Sequence, residues 1–192
     1  MVSNGRPIEN SAIKIIGEDM KSLPERHVGE IIIKSDCLFD GYYFRPEESR
    51  KAFIDGWFRT GDLGYQVNGD LFISGRKKDL IIVGGKNIYP QDLESLAMNV
   101  EGIHAGRVVA FGVFNEELGT EEVVLVAETD TDSMLQKDGL AENVRREVTQ
   151  NSAIALRKVL IVDSKWLIKT SSGKIARSAN RDKYLDEIKK HE

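Results

Sequence analysis

An α+β protein in two parts, a β-rich segment followed by a mixed domain, is what this sequence predicts, and three observations carry that expectation. Short β-branched runs bounded by turn formers occupy the first third, most clearly Ile13-Lys14-Ile15-Ile16 and Gly29-Glu30-Ile31-Ile32-Ile33-Lys34. Apolar residues later switch to helical spacing, at Leu93, Leu96, Ala97 and Val100. The change of pattern falls near Gly75 to Lys78, a polar stretch suited to a domain boundary.

In chain order, the two strand-like runs are followed by a short helix at Pro46. Proline suits a first helical position, Glu47 and Glu48 favour the positive end of the helix dipole, and Arg50 and Lys51 follow. Between Tyr65-Gln66-Val67 and Leu71-Phe72-Ile73, Asn68-Gly69 supplies the two residues tolerant of positive φ that a type I′ hairpin needs. A β-subdomain is therefore expected over residues 1–74. Beyond it, Pro90 opens an amphipathic helix with Asp92 and Glu94 in its first turn. Residues 108–113, 123–127 and 159–162 are apolar runs of strand length, and Leu140, Val144 and Val148 mark one face of an intervening helix. Tyr184, Leu185 and Ile188 mark a terminal helix. The second domain, residues 79–192, is expected to hold about three strands and three helices.

Composition excludes several classes of function. The 192 residues are 41% hydrophobic, enough for a core. Charges nearly balance at a formal −4, without the basic footprint that grips a nucleic-acid backbone. Cys37 is the only cysteine, so an internal disulfide is impossible and a reducing compartment fits. His27, His104 and His191 lack the spacing of a zinc site, and no metal site is predicted. No apolar run reaches the roughly 20 residues of a membrane span, and the polar N-terminus has no signal-peptide core. A cytoplasmic location is the default expectation.

Three segments carry chemistry. Trp57-Phe58-Arg59-Thr60-Gly61-Asp62-Leu63 places a carboxylate behind a tight glycine turn, where it can accept hydrogen bonds from two vicinal hydroxyls, as dinucleotide-binding folds do on a ribose. Gly75-Arg76-Lys77-Lys78-Asp79, running on to Gly84-Gly85 and Asn87-Ile88-Tyr89-Pro90, joins a basic run to glycines that permit close backbone approach. Gly75 beside this polar run also suits a hinge, where few residues absorb a large change in φ and ψ. Lys169-Thr170-Ser171-Ser172-Gly173-Lys174 sets a compact cation on a mobile Ser/Gly loop. It is not a phosphate-binding P-loop, because Ile175 stands where that motif requires Ser or Thr. Taken singly, each segment also fits an ordinary surface turn.

In this order, the three segments resemble the later signature motifs of the adenylate-forming enzymes: acyl-CoA synthetases, fatty-acyl-AMP ligases, luciferases and non-ribosomal peptide synthetase adenylation domains. The likeness is longest in the second segment, and in the third Ile168 stands where the family pattern has proline. The resemblance implies that residues 1–74 end a larger N-terminal adenylating domain, as part of a distorted barrel. It implies a hinge at 75–78, pivoting at Lys78, and a mobile C-terminal domain over 79–192. By the same resemblance Asp62 would hold the AMP ribose, Arg76 the ribose and phosphate, and Gly84 and Gly85 the pantetheine tunnel of thioester-forming members. Lys174 would be catalytic, stabilising charge on the carboxylate and α-phosphate during adenylation.

The reactants so implied are ATP with magnesium, a carboxylic acid, and coenzyme A or the phosphopantetheine of an acyl carrier protein as acceptor. The segment from Asn87 to Glu94 leans toward the fatty-acyl branches. The family's phosphate loop and adenine-binding segment lie upstream of anything resembled here. The chain is therefore expected to act with a missing N-terminal domain, as an excised piece or one product of a split gene, and to be inactive alone. The rival expectation is a non-catalytic interaction module, or half of a split enzyme, docking on a partner chain or carrier protein.

Overall fold

The computed structural model describes residues 2–189 and divides between Lys78 and Asp79 into two compact units. The first is an antiparallel sheet of five strands, β1 (Ser11–Ile16), β2 (Gly29–Ser35), β3 (Phe53–Ile54), β4 (Trp57–Val67) and β5 (Asp70–Arg76), with one helix, α1 (Pro46–Ala52). β4 is its axis: β2 pairs with one edge, while β3 takes the start of the other edge and β5 its end. Cross-strand register sets Ile13 opposite Ile33 and Ile15 opposite Ile31. Ile15, Ile31 and Leu71 are buried, with Ile13, Leu23 and Ile33 packed against them. Asn68 and Gly69, at φ 53° and 83°, form the expected two-residue turn, and the Glu25 carboxylate accepts both of their N–H groups at 3.1 and 3.3 Å.

The second unit begins with a hairpin, β6 (Ile81–Val83) and β7 (Lys86–Ile88), and continues into α2 (Pro90–Met98). Its main sheet has three strands in the order β10-β9-β8. β8 (Val108–Asn115) runs antiparallel to β9 (Thr120–Thr129), and β9 parallel to β10 (Leu156–Asp163) across α3 (Met134–Ser152). A parallel pair needs such a crossover, because a hairpin cannot reverse the chain twice. α4 (Arg177–Lys189) closes the described chain.

Both faces of this sheet are covered, which explains why its strands read as continuous apolar runs. On one face Val108, Ala110, Val123, Leu125 and Ala127 meet Leu93 and Ala97 of α2 and Val144 and Val148 of α3. On the other, Val109, Phe111, Val124 and Val126 meet Leu167 and Tyr184. Ser133 caps α3 by accepting the Gln136 N–H, and Ala153 ends it in the left-handed region. The expected three strands and three helices are present, together with the additional β6–β7 hairpin. No described helix is long and apolar enough to cross a membrane.

Glu128 is the one fully buried carboxylate of β9, and it accepts the Arg107 Nη1 and the Leu167 N–H, both at 2.7 Å. Burial alone would push its pKa up; hydrogen bonds from Leu167, Arg107 and Lys165 outweigh burial and hold it below the usual carboxylate range. Its contribution to stability is therefore complete above about 4.3, the ordinary value, and is lost as pH falls through the lowered native one. Glu128→Gln is expected to cost about 1.5–3 kcal/mol near neutrality and progressively less in acid. Urea unfolding across that range measures this, and a loss independent of pH would show that the ionised pair is not what Glu128 contributes.

Candidate functional site

Asp62 lies within β4, not in the tight turn expected from Thr60-Gly61-Asp62. The β2–β4 register steps from Glu30↔Leu63 to Ile32↔Arg59, so residues 60–62 of β4 bulge opposite Ile31. Gly61 makes the bulge possible at φ 70°, and a Cβ there would meet nothing within 4 Å. Glycine is required for the backbone, not for space, and another residue would pay about 1–2 kcal/mol in this region. The Thr60 hydroxyl staples the bulge, donating to Ile31 O at 2.7 Å and accepting the Asp62 N–H at 3.0 Å. Asp62 thereby faces its register partner Arg76 on β5, with Nε 3.2 Å from Oδ1 and both side chains solvent-accessible.

The 3₁₀ turn Lys77–Asp79 follows β5 directly. Lys77 Nζ reaches Glu30 Oε2 at 3.2 Å, and Arg59 grips the same carboxylate from Nε at 3.0 Å and Nη2 at 2.5 Å. Glu30 is only 5% exposed. Burial would raise its pKa, but hydrogen bonds and charge from Arg59 and Lys77 win, and it sits below the usual range. At the other end of the turn, Asp79 Oδ2 accepts Arg177 Nη1 at 2.7 Å. Arg177 also donates from Nη2 to Glu94 Oε1 at 2.7 Å and from Nε to Ala110 O at 2.9 Å. Glu94, expected in the first turn of α2, sits in the second, with Asp92 the acid of the first, and it accepts the Ala110 N–H as well. Lys78 is exposed, between one neighbour tied into the first unit and another tied into the second.

Lys174 is exposed on the loop between β10 and α4. This loop, expected to be mobile, is internally bonded: Thr170 N–H donates to Lys174 O at 2.8 Å, Gly173 N–H to Thr170 O at 2.9 Å, and Lys174 N–H to Thr170 Oγ1 at 3.2 Å. Lys169 and Ile175 form an antiparallel bridge. Below them the fully buried Asn180 accepts the Ile168 N–H at 2.8 Å and donates to Ile168 O and Ala176 O, both at 2.9 Å. The base of the loop is thus fixed on α4.

Gly84 and Gly85 form the β6–β7 turn at φ 55° and 77°. Nothing lies within 4 Å of a Cβ at either, and the turn's own backbone calls for glycine at both positions. The structure therefore brings Asp62 and Arg76 together in the first unit, sets Lys78 at its end, and places Lys174 and Gly84-Gly85 on separate loops of the second. A cavity of about 570 Å³ lined by His104, Asp130, Gln136 and Asn143 contains none of these residues. Among the described residues, no three His, Cys, Asp or Glu side chains converge on a metal position. Glu30, Arg177 and Asn180 escaped sequence reasoning, since a lone polar residue in an apolar run or on a helix carries no sign of its distant partner.

Comparison with known proteins places this arrangement. No family model matches the chain. It is 35% identical over 199 residues to the medium-chain-fatty-acid–[acyl-carrier-protein] ligase JamA of Moorena producens, covering 97% of this chain and 33% of that protein. It is 32% identical over 217 residues to the long-chain-fatty-acid–AMP ligase FadD32 of Mycobacterium marinum, covering 93% of this chain and 34% of that one. The solved structure of McyG A-PCP complexed with phenylalanyl-adenylate superposes with a TM-score of 0.89 at 33% identity, over 97% of this chain and 34% of that one. The fold is thus that of the C-terminal portion of adenylate-forming enzymes. The chain is homologous to acyl-CoA synthetases and fatty-acyl-AMP ligases, and spans about a third of the length of the curated relatives it matches.

Asn180→Leu is expected to release the loop that carries Lys174. Hydrogen exchange at the Ile168 and Ala176 amides should accelerate while the sheet amides keep their protection; unchanged protection at Ile168 would remove Asn180 as the anchor.

Proposed function

We propose that this chain supplies the C-terminal part of an ATP-dependent ligase that adenylates a carboxylic acid and passes the acyl group to a thiol. The observation that carries the reading is the clamping of Lys77 on Glu30 and of Asp79 on Arg177, with exposed Lys78 between them. A hinge needs just this, a residue free to absorb backbone rotation between two that move with their own bodies.

In the first half-reaction a carboxylate oxygen of the acid attacks the α-phosphorus of ATP, and pyrophosphate leaves. Asp62 accepts hydrogen bonds from the ribose hydroxyls, and Arg76 beside it meets phosphate charge. Lys174 brings a compact cation to the charge that builds on the carboxylate and α-phosphate. In the second, the thiol of coenzyme A or of a carrier's phosphopantetheine attacks the acyl carbonyl, and AMP leaves. Rotation at Lys78 replaces the Lys174 loop by the Gly84-Gly85 turn, which lines the path of the thiol. The described residues offer no cluster of three acidic, His or Cys side chains for magnesium. The Moorena and Mycobacterium relatives, both fatty-acid ligases, support a fatty acid as substrate, and the Moorena relative, a carrier-protein ligase, supports a carrier thiol as acceptor.

The test joins the 192 residues to the remaining two thirds of the Moorena relative and follows pyrophosphate exchange with fatty acids. Lys174→Ala is expected to slow adenylation by about 10²-fold or more, the scale of one lost preorganised contact, while thioester formation from supplied acyl-adenylate falls far less. Equal losses would refute this division of labour, and no loss in either would favour a non-catalytic docking module. Asp62→Ala should weaken ATP use about tenfold or more without altering the circular dichroism spectrum, since a charged hydrogen bond is worth about 1.5–3 kcal/mol. Unchanged nucleotide affinity would take Asp62 out of the site.

A further inference from the structure

We propose that Thr120, Glu121 and Gly112 are positioning residues that hold the Gly84-Gly85 turn in place and so set the path of the acceptor thiol. The proposal rests on the reading of that turn given above.

β6 has two edges. One pairs with β7, at Ile81↔Ile88, Ile82↔Asn87 and Val83↔Lys86. Among the described residues no strand continues the sheet on the other edge, whose amide groups need partners elsewhere. Side chains at the start of β9 supply them. The Ile82 N–H donates to Glu121 Oε2 at 2.6 Å, and the Gly84 N–H donates to Thr120 Oγ1 at 2.8 Å. The same hydroxyl donates to Ile82 O at 3.0 Å, so Thr120 bridges the last turn of the hairpin with both of its bonding capacities. The bond to the Glu121 carboxylate is charge-assisted and short.

Glu121 can lie there because β8 makes room. A Cβ on Gly112 would fall 2.6 Å from Glu121 Cδ and 2.7 and 2.8 Å from its two oxygens. Gly112 is not among the residues at positive φ, so its backbone does not require glycine; the carboxylate beside it does. Gly112 and Glu121 thus form one dependence, in which the missing side chain of Gly112 admits the carboxylate that holds the Ile82 amide of the hairpin, and Thr120 acts beside them.

The division of labour along the hairpin distinguishes positioning from folding. Ile81 is buried in the core, with Val83 and Ile88 packed against it, and these apolar contacts hold the face of the hairpin. The Thr120 bond acts at the turn, on the Gly84 amide itself, and the Glu121 bond acts two residues before it, on the Ile82 amide of β6. Their loss should free the turn while the domain stays folded.

Amide exchange in the 192-residue chain and the two half-reactions in the fused enzyme together test the proposal. Glu121→Ala and Gly112→Ala are expected to accelerate exchange at Ile82 by roughly tenfold or more, and to slow thioester formation by a similar factor, with pyrophosphate exchange held within about twofold. Glu121→Gln keeps an acceptor for the Ile82 N–H and should restore both. Thr120→Val should act like Glu121→Ala, at the Gly84 amide. Unchanged exchange in Glu121→Ala overturns the proposal, as does a freed turn with normal thioester formation or with equal loss in both half-reactions. An unmodified fusion that adenylates nothing strikes at the ligase reading itself and takes the acceptor role with it, whereas the exchange data still report whether the three residues hold the turn.

Discussion

Paired charge on either side of Lys78, buried at Glu30 and half-buried at Arg177, is the constraint on which the rest of the arrangement depends. Glu30 lies inside the first unit and is compensated by Arg59 and Lys77; removing either would leave a desolvated carboxylate short of a partner, which is costly. In the second unit, Arg177 spends its planar fork on Asp79, Glu94 and the Ala110 carbonyl, so its three donor nitrogens are all engaged. Each clamp belongs to its own unit. Lys77 and Asp79 are thereby paired within their own units, and Lys78 between them is exposed, which is what the proposed hinge calls for.

The same economy governs the site residues. Asp62 is aimed not by a flexible loop but by a bulge that a glycine permits and a threonine hydroxyl locks, which places it in register with Arg76. Lys174 sits on a loop whose backbone bonds are made in advance and whose base is held by a buried asparagine. Ordering a free backbone costs about 1–2 kcal/mol per residue, so under the proposed function a loop already folded has less to lose on meeting a substrate. Rigid elements also hold catalytic groups more accurately than mobile ones.

Local signals in the sequence located much of this. Asn68-Gly69 marks a turn by its own chemistry, the spacing of Leu93 and Ala97 marks a helix face, and the apolar runs of β8 and β9 mark strands covered on both sides. The motifs carrying Asp62, Arg76 and Lys174 are likewise contiguous. What stayed hidden is long-range. Arg177 meets Asp79 across 98 residues and Glu30 meets Lys77 across 47, and nothing near either residue in the chain announces the pairing. Gly61 was legible as a glycine that the backbone needs, yet a bulge in a long strand and a tight turn make the same local demand; the register with β2 decides between them. Gly112 is the reverse case, a glycine required by a neighbour nine residues along the chain and not by its own φ.

Under the proposed function, these internally bonded loops bear on how one small domain would serve two half-reactions. If the Lys174 loop and the Gly84-Gly85 turn were loose, each could approach a nucleotide site by its own local motion, and both would compete for the same space in every state. Bonded as they are, by Asn180 on one side and by Thr120 and Glu121 on the other, each is tied to the unit that carries it. Under the proposed function the exchange of one for the other must then be a rotation of the whole unit. A hinge of one free residue between two clamped ones is what such a motion requires, because a longer flexible connection would spread the rotation over many conformations and blur the two states it has to keep apart.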